Sequence, residues 1–319
     1  MEHRELGKSG IKVAPLALGT NVFRWTVEDA MADKLLDAFV GSGLNLIDTA
    51  DVYSKWVPGN TGGESETVIG NWLKKSGKRN QVVLATKVGH TMGMGEGMKG
   101  LSRKYIMQAV EASLRRLQTD HIDLYQSHED DPNTPIEETL ETYSLLVKQG
   151  KVRAIGASNF KAGRLAESLE ISKKRDYPVY QTLQPMYNLY DRAEYEKELE
   201  SFCLKNSIGV ICFYGLAKGF LTGKYRTKDD LNKGAHGGTR VVNNYMNERG
   251  MRILGALDEV SNHLNTNPAR VALAWLMARP SITAPIASAT NLKQMEDLIG
   301  SVELKLDAHS IDILNKASS

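Results

Sequence analysis

Four residues, Asp48, Tyr53, Lys87 and His128, each fall at or just past the end of a short apolar run, and their types together make a proton-delivery set. A tyrosine hydroxyl is a poor acid at neutral pH, with a pKa of about 10 in water, but a lysine ammonium beside it stabilises the phenolate and draws that value down. Lys87 is expected to do this for Tyr53, with Asp48 holding the ammonium by a charge-assisted hydrogen bond and His128 orienting a carbonyl oxygen against the hydroxyl. Taken singly, each residue has an ordinary structural use: a turn cap, a rim cation, a packed ring or a hydrogen-bonded histidine. Their conjunction gives them weight. A lysine at a strand end can also form a Schiff base with a carbonyl, the chemistry of a lyase or aldolase. The nearby carboxylate argues instead for an amine kept protonated and poorly nucleophilic.

Such a set needs elements that bring distant residues to one rim. The stretches 44–47, 82–86, 121–126, 152–157, 179–183, 210–213 and 282–286 read as short buried strands, with 15–18 as a weaker one. Helical spacing separates them, as at 30–40, 64–75, 103–117, 136–148 and 194–205. Ser102 is placed to cap one helix at its start, and Gly43 and Gly150 to follow others in a left-handed conformation. Strand and helix alternate with no Pro/Gly/Ser linker, so the expectation is an α/β fold, a (β/α)8 TIM barrel filling residues 1–319 as one domain. Residues 6–13, turning at Lys8-Ser9-Gly10, form a hairpin expected to cap the barrel bottom. The polar stretch 219–250 is expected to be a mobile loop after the seventh strand. In such barrels the loops leaving the carboxyl ends of the strands build the site, and Trp25, Trp56 and Tyr214 fall where an apolar substrate would meet them.

Composition excludes other classes. Across 319 residues, 40 Lys+Arg against 38 Asp+Glu leave a formal charge of +2, too balanced to draw a nucleic acid or an anionic membrane. Two cysteines, Cys203 and Cys212, are too few for a disulfide framework or a thiolate metal site. The contiguous cluster His128-Glu129-Asp130-Asp131 lacks partners for a metal and reads as an acidic rim. The charged amino terminus does not resemble a signal peptide and the apolar run 271–278 is too short to span a bilayer, so a cytoplasmic location is expected. Gly95-Glu96-Gly97-Met98-Lys99-Gly100 fits GxGxxG in form. Its first glycine stands too far beyond Lys87 for a tight strand-to-helix turn, and a flexible loop is the better reading.

The segment Asn45-Leu46-Ile47-Asp48-Thr49-Ala50-Asp51-Val52-Tyr53 resembles the IDTA-x-x-Y signature of the aldo-keto reductases. Ala85-Thr86-Lys87, Asp123-Leu124-Tyr125-Gln126-Ser127-His128, Gly150-Lys151-Val152-Arg153-Ala154-Ile155-Gly156-Ala157-Ser158-Asn159-Phe160, Gln184-Pro185-Met186-Tyr187-Asn188-Leu189 and Gly219-Phe220-Leu221-Thr222-Gly223-Lys224-Tyr225 follow in the family's order, over nearly the whole chain.

The resemblance implies reversible hydride transfer between a nicotinamide cofactor and the carbonyl carbon of an aldehyde or ketone, with Tyr53 as general acid, Lys87 and Asp48 tuning it, and His128 positioning the carbonyl. It also implies that Ser158, Asn159 and Gln184 hold the nicotinamide carboxamide, that Phe213 stacks on the ring where many members place a tyrosine, and that Leu216, Ala217 and Lys218, with Lys224, lie over the pyrophosphate. Ser288, Thr290 and Gln294 match the adenosine end. No arginine or lysine stands at the first or third position of the segment from Ser288, so NADP(H) is favoured by family habit and NAD(H) stays open. No metal is implied. The same fold resembles the cytosolic β subunits of potassium channels, which hold nicotinamide cofactor as redox sensors. The expected partner is a small carbonyl or alcohol. Natural substrate, direction and oligomeric state are not legible.

Overall fold

The computed structural model describes residues 1–93, 98–227, 229–230 and 238–319. The chain opens with an antiparallel hairpin, β1 (Arg4–Glu5) and β2 (Lys12–Val13), in which Arg4 faces Val13. An eight-stranded parallel sheet follows: β3 (Ala17–Gly19), β4 (Leu46–Asp48), β5 (Val83–Val88), β6 (Ile122–Ser127), β7 (Val152–Ser158), β8 (Tyr180–Gln184), β9 (Gly209–Val210) and β10 (Ile286–Ala287). From β3 to β9 each strand pairs with the next in the chain, and β10 returns to pair with β3. The ring closes where the Val210 carbonyl accepts from the Thr283 amide and the Cys212 carbonyl from the Ile286 amide, both at 2.8 Å.

Helices cover the outside: α1 (Asp29–Gly41), α2 (Glu64–Ser76), α3 (Arg103–Leu117), α4 (Ile136–Lys148), α5 (Ala162–Arg175), α6 (Glu200–Asn206), α7 (Gly238–Tyr245), α8 (Glu248–His263), α9 (Pro268–Ala278), α10 (Leu292–Glu303) and α11 (Ala308–Ser318). Ser102 caps α3 by accepting from the Tyr105 amide, and Asn267 caps α9, whose first residue, Pro268, has no amide to satisfy. Gly43 and Gly150 take the left-handed conformation expected of them after α1 and α4. Among the described residues, no helix is long and apolar enough to cross a membrane.

Side chains on a strand alternate between the barrel interior and the helices, and this sets two interior layers. The lower one is apolar: Leu46, Val83, Ala85, Leu124, Ala154, Ile211 and Ala284 pack with Leu6, Ile11 and Val13 of the hairpin. The hairpin therefore plugs the barrel at the amino ends of the strands, fixed by Arg4 on the carbonyls of Ile282 and Met277, each at 2.8 Å. Gly209 is required at this contact, since a Cβ there would stand 2.7 Å from the Gly7 amide nitrogen. Two residues further along the strands, the same interior face carries Asp48, Lys87, Gln126 and Gln184.

The structure shifts several sequence-based expectations. Of 210–213 only Val210, with Gly209 before it, joins the ladder; Phe213 makes an isolated bridge to Met186, its amide on the Pro185 carbonyl at 2.9 Å and its carbonyl accepting from the Tyr187 amide at 3.4 Å, and Pro185, which has no amide, interrupts the ladder between them. Within 282–286 the residues close the barrel by isolated bonds, and the regular strand is Ile286–Ala287. The helix at 194–205 begins as a wide π turn, Tyr195–Leu199, which seats the Tyr195 ring 4.7 Å from that of Tyr187 and puts Glu196 on the Tyr187 hydroxyl at 2.6 Å. The stretch 219–250 is not simply a loop: Phe220, Leu221 and Tyr225 are buried at its start, and α7 near its end buries Val241 and Tyr245, with Phe220 stacked on Tyr245. Scattered apolar residues there form core because those elements fold back on one another. Gly234, Gly237 and residues 95–97 of the GxGxxG match lie outside the described residues.

Leu6 is fully buried in the plug, far from the carboxyl ends of the strands. Leu6→Ala is expected to lower stability by about 2–5 kcal/mol, seen as a lower urea midpoint, while leaving cofactor affinity unchanged.

Candidate active site

Asp48 ends β4 and Lys87 lies near the end of β5, so the strand pairing that sets Asp48 against Ala85 brings the two side chains onto one interior face. The Lys87 ammonium is wholly buried and donates to Asp48 Oδ2 at 2.6 Å, the Thr49 carbonyl at 2.8 Å and the Tyr53 hydroxyl at 2.8 Å. Three donors thus meet three oxygens. The second carboxylate oxygen of Asp48 accepts from Gln126 at 3.2 Å and Gln184 at 3.0 Å. Gly156, between them on β7, leaves the room: a Cβ there would lie 2.3 Å from Thr182 Oγ1 and 3.0 Å from Gln126 Cγ. A buried ion pair holds its charges only when desolvation is offset by such bonds.

The Tyr53 and His128 ring centroids are 6.0 Å apart. His128 is held by its main chain, its amide on the Val88 carbonyl at 2.8 Å and its carbonyl on Asn159 Nδ2 at 3.0 Å, whereas its buried Nδ1 has no partner among the described residues. Burial, and then the Lys87 charge, hold the His128 imidazole well below its usual value, so it is neutral at pH 7.

One expectation is corrected. The Tyr53 phenol is pushed well above the ordinary tyrosine value, by burial first and then by the negative charge of Asp48. The net direction is upward even with the Lys87 ammonium 2.8 Å from the hydroxyl, because burial and the Asp48 charge outweigh its attraction. Lys87 is itself drawn down by burial.

The other expected residues divide by location. Ser158 donates to the Gln184 carbonyl at 2.9 Å, and Asn159, in a left-handed conformation, donates to Ser158 Oγ at 3.1 Å; Ser158 and Gln184 face each other across β7 and β8. Gln184 joins these polar groups to Asp48, and Phe213 is a half-buried ring that packs on the lower apolar layer with its centroid 5.0 Å from that of Tyr214. Such a set of amides, a hydroxyl and an aromatic face suits a planar ring bearing a carboxamide. Trp25, Trp56 and Tyr53 form an aromatic run, with centroids 5.2 Å apart for the first pair and 6.3 Å for the second. Tyr214, exposed at 43 %, lies under the Lys218 ammonium and is held through its carbonyl by the buried Asn188 at 3.1 Å.

Leu216, Ala217 and Lys218 form a tight turn with two successive left-handed residues, Ala217 and Lys218, and Lys224 comes up beneath Gly219. Ser288 bonds Asn21 at 2.9 Å; Gln294 Oε1 accepts from the Thr290 amide and hydroxyl, closing the start of α10. These hydrogen bonds of the last group are local ones.

Sequence reasoning gave no role to Gln126, His90 or Asn188. The alternation that puts Leu124 in the lower layer also puts Gln126 in the upper one, which was a usable signal. His90, whose ring centroid is 4.0 Å from that of His128, had none.

A profile of the aldo/keto reductase family matches residues 15–319. The chain belongs to that family, and is thus an oxidoreductase of the carbonyl-reducing kind, in a family that uses nicotinamide cofactors. Among its relatives is a protein of Bacillus subtilis named an uncharacterized oxidoreductase, YrpG, 35% identical over 99% of this chain and 95% of the other. Escherichia coli protein tas is 31% identical over 96% and 94%. A probable voltage-gated potassium channel subunit beta of Arabidopsis thaliana is 30% identical over 95% and 92%.

Asp51 lies beside this site with both carboxyl oxygens buried and unpartnered among the described residues. Burial and then the charge of Glu66 raise its pKa well above the carboxylate range, and Arg116, Lys87 and the Val52 amide offset only part of this. The folded chain therefore keeps a proton that the unfolded chain loses, so this residue makes stability fall as pH rises from about 4 through its folded value. Asp51→Asn, which cannot ionise, is expected to raise Tm at pH 7 and flatten its decline from acid to neutral pH; an unchanged pH slope would refute this.

Proposed function

We propose that this chain is a single-domain, cytoplasmic NAD(P)H-dependent reductase of small aldehydes or ketones, acting reversibly, with Tyr53 as general acid. The observation that carries the reading is the Lys87 ammonium bonded at once to Asp48 and to the Tyr53 hydroxyl, next to His128, at the carboxyl ends of the strands. When bound, the nicotinamide cofactor supplies hydride to the carbonyl carbon or takes it back from an alcohol. Ser158, Asn159 and Gln184 would hold its carboxamide, Phe213 its ring, and Leu216, Ala217, Lys218 and Lys224 its phosphates.

Tyr53 keeps its proton through neutral pH and offers it to the substrate oxygen as negative charge develops there. The developing alkoxide is a strong base and takes up the proton. Lys87 stabilises the phenolate left behind, and Asp48 keeps Lys87 charged and fixed. Neutral His128 directs the substrate oxygen toward the phenol, stabilising the oxyanion more than the carbonyl. A Schiff base on Lys87 fits less well, since all three of its donors are engaged.

NADP(H) is the favoured cofactor, on family habit. Ser288, Thr290 and Gln294 offer the adenosine end hydroxyls and amides rather than a paired cation, which keeps NAD(H) in contention. A second reading, a redox sensor that binds cofactor with little turnover, has the plant channel-subunit relative in its favour.

Reduced cofactor mixed with 4-nitrobenzaldehyde is expected to be consumed, followed by its near-ultraviolet absorbance, and Tyr53→Phe is expected to lower kcat about 100-fold or more with cofactor affinity retained. A Tyr53→Phe enzyme with most of its rate would remove Tyr53 from the role. Tight cofactor binding with negligible turnover across a carbonyl panel, and a membrane protein that co-purifies, would favour the sensor.

A further inference from the structure

A histidine that orients a substrate is ordinarily fixed through its second ring nitrogen, by a carbonyl or a carboxylate. Among the described residues His128 lacks that restraint: Nδ1 is buried without a partner, and the hydrogen bonds that hold the residue are those of its main chain. They fix the Cα and leave rotation about the side-chain bonds to packing. The neighbouring rings are Tyr53, at 6.0 Å and 73° between planes, and His90, at 4.0 Å and 63°. The nearer of these is itself tethered, because His90 Nδ1 lies 3.0 Å from Glu129 Oε1, on the residue that follows His128. The main chain of His90 is anchored too, its carbonyl accepting from the Tyr105 hydroxyl at 3.4 Å. A small closed circuit results, running from His128 to Glu129, across to His90 and back by ring contact.

We propose that His90, held by Glu129, is a positioning residue for His128, a ring wedge that replaces the missing hydrogen bond and keeps the imidazole turned toward the substrate oxygen. The inference rests on the reading of His128 as the residue that directs the carbonyl. It concerns His90 alone: the contact is edge to face, so a flat ring of similar width preserves it and a methyl group does not. Loss of the wedge frees the His128 ring without touching the carboxamide-binding residues or the Lys87 network.

The experiment compares His90→Ala, His90→Phe and Glu129→Ala with the parent enzyme. His90→Ala is expected to lower kcat for 4-nitrobenzaldehyde about 10-fold, the scale of a misplaced catalytic group, with NADPH affinity unchanged. His90→Phe is expected to recover most of that loss, and Glu129→Ala, which keeps the ring but cuts its tether, to fall between. Equal kcat in His90→Ala and the parent would overturn the proposal, as would a His90→Phe enzyme as slow as His90→Ala. A second measurement needs no turnover: in nitrogen-15 histidine spectra of the full chain, the His128 ring is expected to give one sharp tautomer pattern in the parent and a broadened, averaged one in Glu129→Ala. Identical His128 patterns in the two would overturn the wedge even where no carbonyl is reduced, whereas sharp-to-broad behaviour without turnover would leave the wedge standing and count against the reductase reading.

Discussion

A lysine ammonium at the centre of a protein is tolerable only where oxygen atoms replace all the water it has lost, and the site here is built around meeting that demand. Lys87 finds a carboxylate, a main-chain carbonyl and a phenol. Each of these comes from the segment that begins as β4 and runs on through Tyr53, so the geometry of one strand end and the turn after it is dictated by a charge on the next strand. Asp48 is in turn satisfied from β6 and β8, through Gln126 and Gln184. The pair therefore draws polar groups from across the barrel into one layer, and the sheet register that aligns Asp48 with Ala85 becomes a condition for burying the charge as well as for pairing the strands.

The apolar layer beneath makes that possible. Leu46, Ala85 and Leu124 lie two residues before Asp48, Lys87 and Gln126 and seal the polar layer from below, while Leu6, Ile11 and Val13 of the hairpin close the other end. Water cannot approach Lys87 from that side, so its bonds to oxygen keep their strength in a medium of low dielectric. The cost is that every polar atom above the seal needs a partner. Among the described residues, the Asp51 carboxyl oxygens, His128 Nδ1 and Thr182 Oγ1 are places near the tetrad where that requirement is not met, and buried scaffold atoms such as Ser261 Oγ and Ser310 Oγ are unpartnered too.

That Asp48, Lys87, Tyr53 and His128 would be neighbours was legible in the sequence because the placement of polar residues at or just past strand ends is a local property of the chain. The hairpin plug was legible for the same reason, from a short turn between apolar residues. What was not legible depends on pairings between distant segments. The stretch 282–286 read as a regular strand, but how it closes the barrel, through single bonds from Thr283 and Ile286 to Val210 and Cys212, depends on a partner far away in the chain. Phe220, Leu221 and Tyr245 read as isolated apolar residues in a polar stretch until α7 brings them together. His90 carried no signal, since it lies beyond the end of β5, where neither alternation nor a cap fixes a direction, and its ring contact is with a residue just past the end of β6.

The direction of the phenol's pKa was the other illegible quantity, and it changes how the chemistry is understood. Pairwise reasoning from Lys87 to Tyr53 gives a strengthened acid. Including Asp48 and the loss of solvent gives a weakened one, because a buried ion pair projects far less field than a free ammonium while the phenolate loses all of its hydration. In the proposed reaction the ground-state acidity of Tyr53 is therefore not what accelerates proton transfer. The proton is already in place on a fixed donor, and the ammonium becomes fully useful only when the phenol oxygen acquires charge, at which moment Lys87 can share its attraction between Asp48 and that oxygen. A network that is balanced before reaction and strengthened by the charge the reaction creates favours the transition state over the resting state, which is the requirement for catalysis.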